Sequence, residues 1–146
     1  MLTYKQFQLG SVSSGTLRPE NLLPVFANTL ESFDSSDDLI QEARKVWEDL
    51  GNDKSKADYM ASDVINDLID AIQAYCPPFV YFGAHPGDGA DFGFWPDWDN
   101  LETISTSDSP LHLEEDNIWV HINDHGSITV LTNDNGKPGK IIWRSE

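Results

Sequence analysis

A histidine and two aspartates in a glycine-rich stretch are the side chains in this sequence best suited to metal or ligand binding. His85, Asp88 and Asp91 lie within residues 77–96, which also hold four glycines. Imidazole and carboxylate groups together can hold zinc or a related ion. The spacing fits neither a His-Glu-x-x-His motif nor an EF-hand, and Asp beside Gly is equally typical of a tight turn. We therefore predict no metal, and a ligand-binding loop formed by these three residues stays as an alternative.

Other patterns that would indicate an enzyme are weak. His121, Asp124 and His125 form a second small group without metal-ligand spacing. Cys76 follows a predicted helix, whose dipole raises the pKa of a thiol at that end, so we expect a small apolar residue rather than a nucleophile. The sequence has no Gly-x-Ser-x-Gly elbow and no Lys-Ser/Thr closing a phosphate-binding loop. These observations favour a protein that is not an enzyme and needs no cofactor.

Carboxylates at helical spacing form the remaining pattern. Asp63, Asp67 and Asp70 are spaced i, i+4 and i+7 on the outer face of a predicted helix, which sets successive carboxylates about 6 Å apart. This spacing resembles that of phosphates along one nucleic-acid strand, so the acids could compete for a groove that holds DNA or RNA. A solvated helix face is the alternative. The other acids assigned to this partner-binding surface are Asp97, Asp99, Glu102, Glu114, Glu115 and Asp116.

The overall charge supports a basic partner. The chain of 146 residues has 25 Asp and Glu against 9 Lys and Arg, a net charge of −16. Residues 57–136 contain fifteen acids and no Lys or Arg. Such a surface repels nucleic acid and anionic membranes and attracts basic proteins at long range. Mere solubility is the alternative explanation. Trp95, Trp98 and Trp119 could anchor an interface, since Trp is enriched at binding hot spots, and they suit a core equally well.

The pattern of apolar residues predicts three helices in the first half of the chain. The first begins near Pro19, although Pro24 would either delay its start or kink it. The second is capped by Ser35 or Ser36, buries an apolar face that includes Trp47, and ends at Gly51. The third covers residues 58–75 and stops before two prolines.

Strand-forming residues predominate after residue 78. The predicted strands cover residues 79–82, 92–95, 118–123, 127–132 and 140–144, with turns at 124–126 and 133–136. Residues 10–15 are predicted to be a Gly/Ser loop, with an edge strand before them, and 97–116 has no assignment. We predict an α+β fold in which three N-terminal helices pack on one antiparallel sheet of about five strands. One domain, 1–146, is expected, mainly helical over 1–76 and mainly β over 77–146.

Targeting signals are not visible in the sequence. No apolar run approaches the ~18 residues of a membrane span, and residues 1–10 do not resemble a signal peptide. Cys76 is the single cysteine, which excludes an intrachain disulfide and fits a reducing compartment. We expect a cytoplasmic protein without a membrane partner. A homo-oligomer is compatible with the sequence.

Three segments resemble one group of known proteins. Residues 14–26 are Ser-Gly-Thr-Leu-Arg-Pro-Glu-Asn-Leu-Leu-Pro-Val-Phe, and 81–95 are Tyr-Phe-Gly-Ala-His-Pro-Gly-Asp-Gly-Ala-Asp-Phe-Gly-Phe-Trp. With Val-His-Ile-Asn-Asp-His-Gly at 120–126, they resemble small acidic proteins encoded in phage and prophage genomes, a group of unassigned function. The resemblance implies an accessory protein of phage type. Such proteins often inhibit host defence, and they include anti-CRISPR and anti-restriction proteins that mimic nucleic acid.

Two hypotheses from different classes follow. The preferred one is a non-enzymatic inhibitor of phage type that binds a basic, nucleic-acid-binding host defence protein and does not itself bind nucleic acid. In the other, a small enzyme or ligand-binding protein uses the loop that carries His85, Asp88 and Asp91. A structural or assembly role, in the phage particle or the infected cell, is a third possibility.

Overall fold

Two groups of residues in the chain each form a compact unit. The computed structural model describes residues 9–52, 54–99, 111–113, 118–123, 125 and 127–145. One unit, here called the helical unit, comprises Gly10–Cys76 and Tyr81–Trp95. The other, the sheet unit, comprises Met1–Leu9, Pro77–Val80 and Pro96–Glu146. That 1–146 fold as one domain stays a prediction.

Three helices make up most of the helical unit: α1 (Pro19–Phe33), α2 (Asp38–Asn52) and α3 (Lys54–Gln73). Each has apolar residues on one face, and these faces supply the core of the unit. The fully buried side chains from the helices include Leu23, Phe26, Leu30, Ile40, Ala43, Ala61, Leu68 and Ile72. The prediction of three helices is therefore confirmed.

The helix ends differ from the predicted ones. The side chain of Asp37, not that of Ser35 or Ser36, caps α2 by accepting a hydrogen bond of 3.0 Å from the amide of Leu39. Gly51 does not terminate α2, which continues to Asn52, because its backbone does not adopt the left-handed conformation of a helix-ending glycine. Helix α1 begins at Pro19 and includes Pro24, which excludes a later start.

A three-stranded sheet completes the helical unit. Its strands are β1 (Gly10–Ser13), β2 (Val80–His85) and β3 (Asp88–Pro96), in the order β1-β3-β2. The rings of Phe82 and Phe92 each contact Phe26 of α1 edge-to-face, at centroid distances of 5.3 Å, which packs the sheet against that helix.

The glycine-rich connection is shorter than predicted. The two strands extend into it and leave only Pro86 and Gly87 as the turn of a β-hairpin, so the prediction of a long loop was wrong. Gly93 has a separate role, in the pairing of β3 with β1. It lies opposite Ser11 of β1, and a Cβ at position 93 would collide with the carbonyl of Gly10. The lack of a side chain at Gly93 therefore permits the close approach of β1 to β3.

The sheet unit contains a four-stranded antiparallel sheet. Its strands are β4 (Leu111–Leu113), β5 (Ile118–Ile122), β6 (Ile128–Asp134) and β7 (Lys137–Arg144), in that order. Val120 is paired with Val130, and Val130 with Trp143, and all three are fully buried. The turn between β6 and β7 is confirmed, since Asn135 (φ 52°) and Gly136 (φ 84°) adopt the left-handed backbone of a tight hairpin turn.

The α+β class is confirmed, but the prediction of one five-stranded sheet was wrong. The strands form two sheets, of three and four strands. The residues of β1, predicted to be a loop, pair with β3 instead. The sequence did not reveal the pairing of β1 with β3 because that pairing depends on close backbone approach at Gly93. Alternation of apolar residues does not show such an approach. Among the described residues, no helix is long and apolar enough to span a membrane.

Candidate functional site: the acidic face of helix α3

Helix α3 presents three aspartates on one exposed face. Asp63, Asp67 and Asp70, here called the α3 acidic face, are all exposed, as predicted from their spacing. Val64, Leu68 and Ile72 lie on the opposite side of the helix and are buried. Packing of that apolar side fixes the rotation of α3 and directs the acidic face outward.

No positive charge neutralises this face among the side chains that the structure describes, which do not include those of residues 54–58 in α3. Among those described side chains, none of its carboxylates accepts a hydrogen bond or lies within 4.0 Å of a Lys, Arg or His nitrogen. The one ion pair found among the described residues joins Arg44 to Glu31, at 2.9 Å, on α2 and α1. The negative potential of the α3 acidic face is therefore directed toward solvent.

Two large apolar side chains extend the acidic face toward the start of α3. Tyr59 is 81% exposed and Met60 46% exposed. Tyr59 lies one turn before Asp63, so the tyrosine ring and the carboxylates occupy successive turns of one stripe. Sequence reasoning missed both residues. Both residues lie away from the apolar face of α3 that the sequence predicts to be buried, and this position could have indicated that they are exposed.

The second group of predicted partner-binding acids lies in the other unit. Asp97 and Asp99 belong to the sheet unit, where Asp99 is exposed and Asp97 half-buried. Trp98, between them, is 42% exposed. The structure thus groups Asp63, Asp67 and Asp70 on one face but places this second pair in a different unit. The remaining predicted acids lie outside the described residues: Glu102, Glu114, Glu115 and Asp116.

The other two tryptophans considered as anchors have structural partners. The indole N–H of Trp95 donates to the carbonyl of Gly83 at 2.9 Å, and that of Trp119 donates to the side chain of Asn133 at 3.2 Å. Both tryptophans are half-buried. Each helps to hold its own sheet together, so Trp98 is the more accessible candidate.

The side chains of His85 and Asp88 stabilise the hairpin turn. Nδ1 of His85 accepts a hydrogen bond of 2.9 Å from the amide of Gly87, and Oδ1 of Asp88 accepts one of 3.0 Å from the amide of Ala90. The imidazole also contacts Trp95 edge-to-face, with the ring centroids 4.7 Å apart. These contacts give His85 and Asp88 a structural role in the turn.

Asp91 differs from these two residues. Its Oδ1 atom is buried and has no hydrogen-bond partner in the structure. An unpaired buried carboxylate oxygen is costly, which makes it an acceptor for an incoming donor. Within the described ranges, no group of three His, Cys, Asp or Glu side chains is arranged to hold a metal ion. Asp124, from the second small group, lies outside those ranges.

Cys76 has the environment of a structural thiol. Burial raises its pKa to about 12, and its Sγ lies 3.8 Å from the carbonyl oxygen of Ile72, to which it donates. Because the thiolate is the nucleophilic form, a thiol with so high a pKa is a poor nucleophile at neutral pH. This agrees with the interpretation of Cys76 from the sequence.

Comparisons with protein-family models, with curated proteins and with solved structures found no match to this chain. Its function is therefore inferred from the geometry and charge described above.

Proposed function

We propose that this chain is a non-enzymatic, acidic binding protein whose α3 acidic face binds a basic protein. The observation that carries the proposal is the stripe formed by Asp63, Asp67 and Asp70, which is exposed beside the exposed ring of Tyr59. The stripe has no neutralising partner among the side chains that the structure describes. Carboxylates attract and orient a basic partner, while an aromatic ring supplies contact area that is costly to leave in water.

The partner proposed is a protein that binds nucleic acid. Its groove would present Lys and Arg at intervals set by phosphates, and carboxylates on successive helical turns would meet them at a similar spacing. Occupation of that groove by α3 would exclude nucleic acid, so the chain would act as a competitive inhibitor. Asp97 and Asp99, with Trp98, would supply a second acidic contact.

A more specific form of the proposal concerns the origin of the protein and the class of its partner. The resemblance to acidic phage and prophage proteins supports a role in the host cytoplasm as an inhibitor of a defence protein, of the anti-CRISPR or anti-restriction kind. A net charge of −16 suits this role, because it repels nucleic acid and favours fast association with a basic effector.

The test is a capture experiment with matched variants. Tagged parent protein and an Asp63→Asn, Asp67→Asn, Asp70→Asn variant would be exposed to host lysate with nuclease present, then eluted with rising salt. We expect the parent to retain a basic protein that the triple variant loses. A control with Asp38→Asn, Glu42→Gln and Asp49→Asn removes as many charges from α2. If it loses the same protein, total charge and not α3 determines binding.

A second candidate function is ligand binding at the β2–β3 hairpin, which carries His85, Asp88 and Asp91. The buried, unpartnered Oδ1 of Asp91 favours it, because a ligand N–H or a cation would satisfy that atom. Native mass spectrometry of the parent and of Asp91→Asn, with metal analysis, tests it. A bound species that is present in the parent and absent from Asp91→Asn would support this function, and identical spectra would exclude it.

A further inference from the structure

A half-exposed tryptophan on α2 lies at the junction of two hollows in the helical unit. Trp47 is 47% exposed, although its indole Nε1–H donates a hydrogen bond of 3.0 Å to the carbonyl of Glu20. The hydrogen bond fixes the orientation of the ring. The exposed surface of Trp47 is therefore a preorganised aromatic surface rather than a mobile side chain.

The described residues that line the first hollow include two acids and no cation. Glu20, Trp47, Glu48, Leu50 and Gly51 line a cavity volume of about 320 Å³. This lies at the small end of the range of about 300–1,000 Å³ that is usual for ligand sites. The hollow thus has room for one side chain or a small ligand.

The second hollow shares Trp47 and Glu48 with the first but also has a cation in its lining. Its lining includes Pro24, Arg44 and Trp47, with a cavity volume of about 250 Å³. Arg44 is held there by Glu31 at 2.9 Å and by Asn28 at 3.5 Å. Arg44 is therefore paired with Glu31 and does not line the first hollow, whose described lining residues carry no positive charge.

We propose that the first hollow binds an arginine side chain of a basic partner. A guanidinium group stacks on an aromatic face and forms paired hydrogen bonds with carboxylates, and Trp47, Glu20 and Glu48 supply these two kinds of contact. Two carboxylates disfavour an anion. A purely apolar occupant would bury both without pairing them.

The site goes beyond the α3 acidic face and does not depend on it. Its lining residues come from α1 and α2, whereas Asp63, Asp67 and Asp70 belong to α3. The first hollow is proposed to bind a single side chain, so a short peptide suffices as a probe. If the peptide does not bind, the proposal for the α3 acidic face still stands. If the α3 acidic face does not bind a basic protein, the proposal for the first hollow still stands.

The experiment is an NMR titration of the full ¹⁵N-labelled chain at low salt with acetyl-Gly-Arg-Gly-amide. We expect saturable shifts of the Trp47 indole signal and of the amides of Leu50 and Gly51, with a dissociation constant on the order of millimolar. Glu48→Gln, at an exposed position, should weaken binding by about 3- to 10-fold. Glu42→Gln makes the same charge change elsewhere on α2 and should stay within about twofold of the parent.

Three results would overturn the proposal. Equal shifts with acetyl-Gly-Gln-Gly-amide would show that charge plays no part. Equal affinity for acetyl-Gly-Lys-Gly-amide would show that any cation suffices. Shifts spread over exposed acids on all three helices, unchanged by Glu48→Gln, would show non-specific attraction. Trp47→Phe, which keeps an aromatic ring, is the second variant and should weaken binding without abolishing it.

Discussion

Trp47 donates its indole N–H to the backbone carbonyl of Glu20, the carbonyl that Pro24 leaves without its helical donor. In a regular α-helix the amide of residue 24 would bond to the carbonyl of residue 20, and proline has no such amide. A side chain from α2 thus supplies the donor that α1 lacks. This relationship explains why α1 tolerates Pro24 in its interior and why Trp47 remains half-exposed.

Replacing Trp47 with Phe should destabilise the chain by about 0.5–1.5 kcal/mol, because the carbonyl of Glu20 loses its donor. In a Pro24→Ala background the amide of residue 24 can take over that carbonyl, so the same substitution should cost less there. Urea unfolding of the four proteins in this double-mutant cycle measures the difference. Equal costs in both backgrounds would contradict the link between Trp47 and Pro24.

Gly93→Ala should destabilise the three-stranded sheet. The new methyl group would collide with the backbone carbonyl of Gly10, and a backbone atom cannot move aside as a flexible side chain can. We expect a loss of about 1–3 kcal/mol or more. Gly89→Ala is the matched control on the same strand, because a Cβ there meets no atom within 4 Å and Gly89 does not require a positive φ. Thermal unfolding compares the two, and equal losses would contradict the assigned β1–β3 pairing.

Asp34 should contribute to the free energy of unfolding at neutral pH and lose that contribution in acid. Hydrogen bonds to its carboxylate, first from the side chain and then from the amide of Ser36, hold the pKa of Asp34 below its ordinary value, against the opposing effect of burial. A lowered pKa means that this stabilisation is present above the ordinary Asp pKa of about 3.9 and disappears as the pH falls through the folded-state value.

Asp34→Asn should therefore lose less stability than the parent between pH 5 and pH 2. The comparison must be differential, since protonation of other acids also relieves repulsion as the pH falls. Unfolding midpoints measured across this range provide it, with Glu42→Gln as a variant of equal charge on α2. Parallel pH profiles for parent and Asp34→Asn would contradict the role given to Ser36.

Cys76 should react slowly with thiol reagents in the folded protein. Burial raises its pKa to about 12, so the thiolate fraction at pH 8 is on the order of 10⁻⁴. Reaction with a disulfide reagent should be several orders of magnitude faster after unfolding in urea. A native rate close to the unfolded rate would show that Cys76 is accessible and ionised, and would reopen nucleophilic chemistry at this residue.

Periodicity predicted the parts of the fold that depend on local burial. Leu22, Phe26 and Leu30 repeat at helical spacing, and Ile118 and Val120 alternate as a half-buried strand, so the elements containing them were predicted correctly. Pairing was not local. The strand Gly10–Ser13 has one apolar side chain, that of Val12, and so gives little strand signal. Its place in the sheet depends on contact with Gly93, which lies about eighty residues away along the chain.

In the candidate site, too, the sequence predicted what depends on local burial and not what depends on contacts between distant segments. Exposure of Asp63, Asp67 and Asp70 followed from the apolar residues on the other side of α3. Trp47 was predicted to face inward because tryptophan is apolar, and its half-exposed position depends on the free carbonyl of Glu20 in another helix. Such a contact requires the packed structure, and so do the positions of Tyr59 and Met60 beside the acids.

The central claim is that the α3 acidic face blocks the nucleic-acid site of a basic protein. Once capture has identified that protein, fluorescence polarisation of its labelled nucleic acid measures displacement by the parent chain and by the Asp63→Asn, Asp67→Asn, Asp70→Asn variant. We predict competitive displacement by the parent, weakening as salt rises, and at least a tenfold loss in the variant, about 1.4 kcal/mol. Equal displacement by the two proteins, or binding of the parent without displacement, would contradict the claim.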